Sequence, residues 1–369
     1  MIELISGEPL AVAIVVAVVG LAVIALAALL LRRRTRTRGG TFRRVLAKQD
    51  AVTVLLHPNP DPDAMASALG VAHLGSMVDT TTDIYYSGRI AHQENRAFRT
   101  VLDVDFERIE TATELPNTPV VLVDHNEARG FEGCDGIRPI AVVDHHPGDG
   151  YGSSFTDVRD DYGACATIIA EYFQGLGATP GEQGLPSGVA TGLLYGILAD
   201  TSHLTRGASR ADFDAAAYLS PGVDSDALDR IANPPVDADV LDTVANAISE
   251  RDVRGPFAVS DVGEISNADA VPQAADELLQ LEGITAVVVF GSNGEEIYLS
   301  GRSRDDRVHM GDTLSMAVDD IAMSEAGGHA RMGGGRVSVP HLEGLRPDSG
   351  MTRDVFKDRL FDAMAGDVT

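Results

Sequence analysis

The chain has no tryptophan, two cysteines in 369 residues and two lysines, Lys48 and Lys357. Each scarcity excludes something. Two isolated thiols, Cys134 and Cys165, give neither a disulfide framework nor a zinc spacing, and both read as reduced packing residues. The remaining cations are arginines, and they are outnumbered: 55 Asp and Glu face 29 Lys and Arg, for a net charge of −26. So acidic a chain lacks the basic surface that grips long nucleic acid, and no long duplex partner is expected. No repeat of fixed period is visible.

What is present starts with 44% hydrophobic residues, enough to fill real cores. The length suits one membrane element and about two domains. Surface carboxylates in this number repel one another at low salt. Molar salt screens them, because the Debye length falls to roughly 3 Å. Heavy acid, arginine in place of lysine and few aromatics resemble the cytosolic proteins of haloarchaea.

Residues 10–31, LAVAIVVAVVGLAVIALAALLL, form a run of 22 without a charge. At 1.5 Å per residue that is roughly 33 Å, the thickness of a bilayer core. Glu3 and Glu8 precede it; Arg32, Arg33, Arg34, Arg36 and Arg38 follow it. The positive-inside rule places the C-terminal side in the cytoplasm. A signal peptide has its charges the other way round. The expectation is a single-pass membrane anchor, with 1–9 outside, a basic juxtamembrane linker over 32–49, and a cytoplasmic soluble part. About 18 residues between membrane and soluble part leave no room for a sensor domain.

The soluble part alternates strands and helices, which predicts an α/β fold with a parallel sheet. Strands are expected at 52–56, 82–86, 120–123 and 140–143, and helices at 63–77, 91–102, 163–173 and 187–198. Residues 210–251, rich in Ala, Asp and Leu and broken by Pro234-Pro235, read as helical, with a connector at 233–254. A smaller α/β segment follows: strand 257–260, helix 274–281, strands 285–290 and 296–300, then the glycine-dense EAGGHARMGGGRVSV at 325–339. The expected layout is a first domain at 50–232, a second at 255–345 and a tail at 346–369.

Four segments share one design, an apolar strand or buried helix with acids or imidazoles at its C-terminal end. They are VTVLLHPNPDPD from Val52, VVLVDHN from Val120, AVVDHHPG from Ala141 and YGILADT from Tyr195. In open α/β sheets, ligands sit outside the carboxyl ends of the strands. His57, Asp61, Asp63, Asp124, His145, His146 and Asp200 are therefore aimed at one crevice. Carboxylates in this number cannot share a small site ionised unless cations neutralise them. Carboxylates with a minority of imidazoles and no thiolates suit a hard-to-borderline divalent ion such as Mn²⁺. Two such ions bridged by one Asp would activate a water for phosphoester cleavage. His73 reads as structural, and His92, His203, His309 and His341 as surface or packing residues.

HPNPDPDAMASALG, VLVDHNE, VVDHHPG and LYGILADTSHLT resemble motifs I to IV of the DHH phosphoesterase superfamily, in order. SGRSRDD followed by AGGHARMGGG resembles its DHHA1 domain. The resemblance covers about residues 50–340. It is to the branch of oligoribonuclease/pAp phosphatases and cyclic-di-AMP phosphodiesterases. It implies two divalent metal ions, one held by His57, Asp61 and Asp124, the other by Asp63, Asp124, His145 and Asp200, with Asp124 bridging. It implies Asp144 as the support of His145, and His146 as the group facing the scissile phosphate. From the second domain it implies that Arg302, Ser303, Gly327, Gly328 and His329 bind the substrate's terminal phosphate. The substrate would be a small nucleotide or short oligonucleotide; a homodimer is left open. Departures fall on the substrate side: Ala326-Gly327-Gly328 stands for a triple glycine, and Met332-Gly333 for two alanines. The alternatives are a RecJ-like single-strand exonuclease, which would want a basic groove, and a non-catalytic nucleotide sensor at the membrane, which would want a degenerate metal site. A pyrophosphatase would account for motifs I–IV but not for the glycine-rich segment.

Overall fold

The computed structural model describes residues 16, 18–21, 23, 37–90, 92–342 and 351–366. The expected membrane segment lies outside them, apart from Val16, Val18, Val19, Gly20, Leu21 and Val23, which are helical. Among the described residues no helix is long and apolar enough to cross a membrane. The chain divides into two compact units between Pro234 and Pro235.

In the first unit, strands β1 (Ala51–Leu55), β2 (Thr81–Tyr86), β3 (Glu107–Arg108), β4 (Val120–Val123), β5 (Ala141–Asp144) and β6 (Phe155–Val158) form one sheet. Its order is β3-β2-β1-β4-β5-β6, and every neighbouring pair is parallel. The order reverses at β1, which opens a crevice between the carboxyl ends of β1 and β4. Apolar residues line both sheet faces, as the near-continuous Val/Leu runs require. Val121 and Val123 face one core, and Leu122 with Val142 the other. Packed around this sheet are α1 (Arg38–Leu46), α2 (Pro62–Ser76), α3 (Gln93–Leu102), α4 (Cys165–Leu176), α5 (Ser187–Asp200), α6 (Arg210–Leu219) and α7 (Ser225–Ala232).

The fold corrects several sequence expectations. Residues 38–46 are not a linker: α1 buries Phe42, Val45 and Leu46 in the main core. Gly39 sits inside this helix because a Cβ there would lie 2.6 Å from the Tyr172 Cα. Strands β3 and β6 were not legible, one being two residues long and the other carrying Thr156 and Asp157. The acid- and alanine-rich stretch splits. Helices α6 and α7 belong to the first unit, while α8 (Ala238–Ser249) buries Ala247 in a core of the second.

The second unit has a mixed sheet of β7 (Arg251–Arg254), β8 (Phe257–Glu264), β9 (Ala286–Asn293), β10 (Glu296–Ser303), β11 (Glu325–Gly328) and β12 (Met332–Ser338), in the order β11-β12-β10-β9-β8-β7. Only β8 and β9 run parallel. Helices α8 and α9 (Ala270–Leu278) cover one face. The other is covered by α10 (Met310–Val318), a short α11 (Val339–Leu342) and α12 (Arg353–Ala365). The expected tail is thus part of the core, since α12 buries Phe356, Leu360, Phe361 and Met364. The glycine-dense stretch is the β11–β12 hairpin, and its glycines let strand and helix backbones meet. A Cβ on Gly311 of α10 would lie 2.5 Å from the Gly328 backbone.

Candidate metal centre

The loop after β1 fixes two carboxylates by helix capping. Asp61 precedes α2 and accepts the Ala64 N–H through Oδ1 at 3.0 Å, which leaves Oδ2 free to face His57. Pro62 occupies the first helical position, where its missing N–H costs nothing. Asp63 follows in the first turn, nearly fully buried. Both its oxygens are held by the start of α4: Cys165 N–H donates to Oδ2 at 2.6 Å and Ala166 N–H to Oδ1 at 2.8 Å. A helix N-terminus favours such a carboxylate through its free N–H groups and its dipole.

Asp124 ends β4 in the left-handed region, at φ 62°, with its N–H donating to the Val143 carbonyl. The turn sends its two carboxylate oxygens to different partners. Oδ2 lies 3.4 Å from His57 Nε2, and Oδ1 lies 3.2 Å from His145 Nε2. Three overlapping sets of donor atoms result, each within 4.8 Å: His57, Asp61 and Asp124; Asp124, His145 and His146; and Asp63, His145 and Asp200. His145 Nε2 also lies 3.3 Å from Asp200 Oδ2 and 3.8 Å from Asp63 Oδ2. Asp200 is the last residue of α5, an end whose dipole disfavours a carboxylate. Ser202, His203 and Leu204 follow it, all at positive φ. Strain of this kind, about 1–2 kcal/mol per residue, collects at functional sites.

The electrostatics describe a site built for cations. Burial and the neighbouring Asp124 and Asp200 push the Asp63 carboxyl well up. Burial, Asp61 and Asp124 push Asp200 up to about 7. Burial works against the charged form of both imidazoles. The carboxylates Asp124 and Asp61 outweigh it at His57, which rises to about 11, and Asp124, Asp63 and Asp200 outweigh it at His145, which rises to about 10. Burial alone would raise Asp124, but the two imidazoles hold it below the ordinary carboxylate range. The cluster thus favours positive charge at its centre, as a cation site does. Asp124 Oδ1 is buried and makes no well-aligned hydrogen bond, although His145 Nε2 lies 3.2 Å away, and metal ligation would satisfy it. The donor set of carboxylates and imidazoles fits divalent ions.

The support of the histidines differs from expectation. Asp144 does not hold the His145 ring. Its Oδ1 accepts the His145 backbone N–H at 2.8 Å and lies 2.9 Å from His146 Nδ1. The His145 ring instead faces the Tyr162 carbonyl, 3.2 Å from Nδ1. The residue after a histidine on a turning backbone does not share its direction, which motif order alone cannot show. His146 is 46% exposed and Asp144 fully buried, so an accessible imidazole stands on a fixed carboxylate. Asp144 raises the His146 ring above its ordinary value against burial. His125, left out of the expected site, is buried edge-on to His57, with centroids 6.2 Å apart. Burial lowers it to about 4, so Nδ1–H donates to the Val123 carbonyl at 2.8 Å.

The residues expected to bind phosphate lie in the second unit. The fork of Arg302 is engaged there, with Nε 2.6 Å from Asp276 Oδ1 and Nη2 3.2 Å from Oδ2. Ser303 is buried, and its hydroxyl closes a turn with Asp305. Gly327 and Gly328 lie in β11, and His329 is exposed at the hairpin turn beyond them. Register pairs Arg302 with Met332, so Arg302 and His329 share one end of the sheet. Cys165 is buried as expected and donates its thiol to the Val143 carbonyl, whereas Cys134 is part-exposed.

A doubly wound parallel sheet carrying a carboxylate–imidazole cluster at its switch point, followed by a smaller mixed-sheet unit, defines the class. Residues 51–197 match the DHH family, N-terminal domain, and residues 254–346 match the DHHA1 domain, so the chain carries both. An uncharacterised protein of Methanocaldococcus jannaschii is 35% identical over 271 residues, 73% of this chain and 55% of that protein. The cyclic-di-AMP phosphodiesterase GdpP of Geobacillus thermodenitrificans is 26% identical over 297 residues, 74% of this chain and 44% of that protein. The chain thus spans about half the length of these curated relatives. The crystal structure of an exopolyphosphatase-related protein from Bacteroides fragilis has the same fold, with a TM-score of 0.62 and 15% identity, covering 89% of this chain and 96% of that one.

Proposed function

We propose that the protein is a phosphoester hydrolase. In its finer form the reading is a membrane-anchored, Mn²⁺-dependent phosphodiesterase acting on small nucleotides: cyclic di-AMP, pApA, short oligoribonucleotides or pAp. The observation that carries it is Asp124, whose Oδ2 faces His57 and whose Oδ1 faces His145, so that it joins a set with His57 and Asp61 and another with His145 and His146. Similarity to a cyclic-di-AMP phosphodiesterase supports the substrate class. His57, Asp61 and Asp124 would hold one ion, and Asp63, Asp124, His145 and Asp200 the other. When bound, such ions supply positive charge to the phosphoryl oxygens and lower the pKa of water.

The chain's own residues do the rest. Asp144 keeps His146 oriented through Nδ1, which leaves Nε2 to donate to a phosphate oxygen or to the leaving group. Asp144 favours the protonated ring, the form that can donate from Nε2. Arg302 and His329 would bind the terminal phosphate, Arg302 through the planar fork that Asp276 holds in this structure. The apolar run at 10–31 anchors the chain, and the acidic surface suits high salt. The complete ligand set weighs against a sensor that lost catalysis, and the charge of −26 against a single-strand exonuclease. A substrate panel with the purified protein in high KCl and Mn²⁺ tests the reading. Turnover of pApA or cyclic di-AMP well above that of long single strands is expected. No phosphoester hydrolysis with any divalent ion would refute it.

A further inference from the structure

Among the described residues, 159–166 hydrogen-bond two ligands assigned to one ion, His145 and Asp63, and neither His57 nor Asp61. At one end the Tyr162 carbonyl lies 3.2 Å from His145 Nδ1. At the other, the N–H groups of Cys165 and Ala166 hold both oxygens of Asp63. His57 and Asp61 are held by their own loop, through the Pro58 carbonyl and the Ala64 N–H.

The segment is itself pinned. Arg159 forms a two-pronged pair with Asp157, at 3.0 and 2.9 Å, and Asp157 is 2% exposed. Its third nitrogen reaches both Glu171 on α4 and the Tyr162 hydroxyl, and its guanidinium lies over the Tyr162 ring, 4.9 Å from the centroid. The Tyr162 hydroxyl donates to Glu171 at 2.8 Å. The Arg159 N–H donates to the Asp144 carbonyl at 3.0 Å, and the Arg159 carbonyl accepts from Tyr162 N–H. One guanidinium therefore ties β6, α4 and the peptide that faces His145.

We infer that 159–166 is a clamp dedicated to the Asp63–His145–Asp200 metal site, with Arg159 as its positioning residue. This rests on the metal-centre reading above. The planar fork explains why arginine stands there: a lysine keeps the charge but cannot hold Asp157, Glu171 and Tyr162 together. Groups that orient a ligating imidazole set metal affinity as well as activity.

The test measures Mn²⁺ binding to the full chain by titration calorimetry and by the EPR signal of free Mn²⁺, in two backgrounds that each weaken one site. In Asp61→Asn, Arg159→Lys should raise the dissociation constant of the remaining site about tenfold. In Asp200→Asn the same substitution should leave the His57 site unchanged. Tyr162→Phe removes one hydroxyl and keeps the ring and carbonyl; if Arg159→Lys does not fold, it reads out the same one-sided weakening at about threefold. Equal weakening in both backgrounds, or in neither, overturns the clamp. Wild-type protein that binds no Mn²⁺ overturns the metal centre itself, and the clamp with it.

Discussion

His146 Nδ1 lies 2.9 Å from Asp144 Oδ1, and the carboxylate is fully buried beneath a half-exposed imidazole. The pair reads as an oriented proton donor at the mouth of the metal centre. His146→Asn should lower kcat by about 10²–10⁴ with metal content unchanged. Asp144→Asn removes the carboxylate that raises His146, so the alkaline limb of kcat/KM should move to lower pH. A pH–rate profile with the same alkaline limb in Asp144→Asn would remove His146 as the acid.

The metal-free protein should lose stability as pH rises. His57 stands at about 11 and His145 at about 10, against 6.5 for a free imidazole. A raised folded pKa means the folded state binds more protons than the unfolded one. Stabilisation from these imidazoles is complete below about pH 6.5 and is lost on passing upward to pH 10–11. Asp200, raised from 3.8 to about 7, acts in the same direction over that lower window. Metal binding displaces these protons, so Mn²⁺ affinity should rise with pH. At fixed Mn²⁺, the gain in Tm over metal-free protein should be larger at pH 8.5 than at pH 6. An equal gain at both values would contradict the charge balance described.

The candidate ligands were legible because each follows an apolar run that can only be a buried strand or helix, and the carboxyl ends of such strands converge. Nothing local shows which way a side chain turns after the strand ends. Motif order therefore pairs Asp144 with His145, whereas the folded chain turns its carboxylate to the His146 ring. The Arg159 network was invisible because Arg159, Tyr162 and Glu171 meet only when β6 and α4 pack. Helix α12 was missed because its buried Phe356 and Leu360 are interleaved with charges such as Lys357 and Asp358, which read as a solvated tail. Likewise residues 32–49 read as a basic linker, because the close packing of Gly39 on Tyr172 cannot be seen from composition.

Gly39→Ala tests that packing. The added Cβ would meet the Tyr172 backbone at 2.6 Å, and backbone cannot swing aside as a side-chain tip can. Overpacking of this kind costs about 1–3 kcal/mol. Thermal unfolding should show the loss, and the neighbouring Gly40→Ala offers a comparison in the same helix. A Gly39→Ala protein as stable as wild type would mean that α1 is not docked in solution.

Arg302→Ala should lower kcat/KM by about ten- to a hundredfold on a substrate with a terminal phosphate, the worth of one charge-assisted hydrogen bond of about 1.5–3 kcal/mol. A generic diester without that phosphate should lose much less, and metal content should not change. Asp276→Asn frees the guanidinium that Asp276 now holds, so KM for the same substrate should fall. Equal losses on both substrates would show that Arg302 serves the fold of its unit instead.

The metal content of Asp124→Asn, set beside wild type, tests the central claim most directly. Asp124 turns one oxygen to His57 and the other to His145, so a single substitution should weaken both proposed sites at once. Elemental analysis after equilibration with Mn²⁺ should find two ions per wild-type chain, about none in the variant, and no hydrolysis by it. Full occupancy in Asp124→Asn, or loss of one ion only, would contradict the bridge.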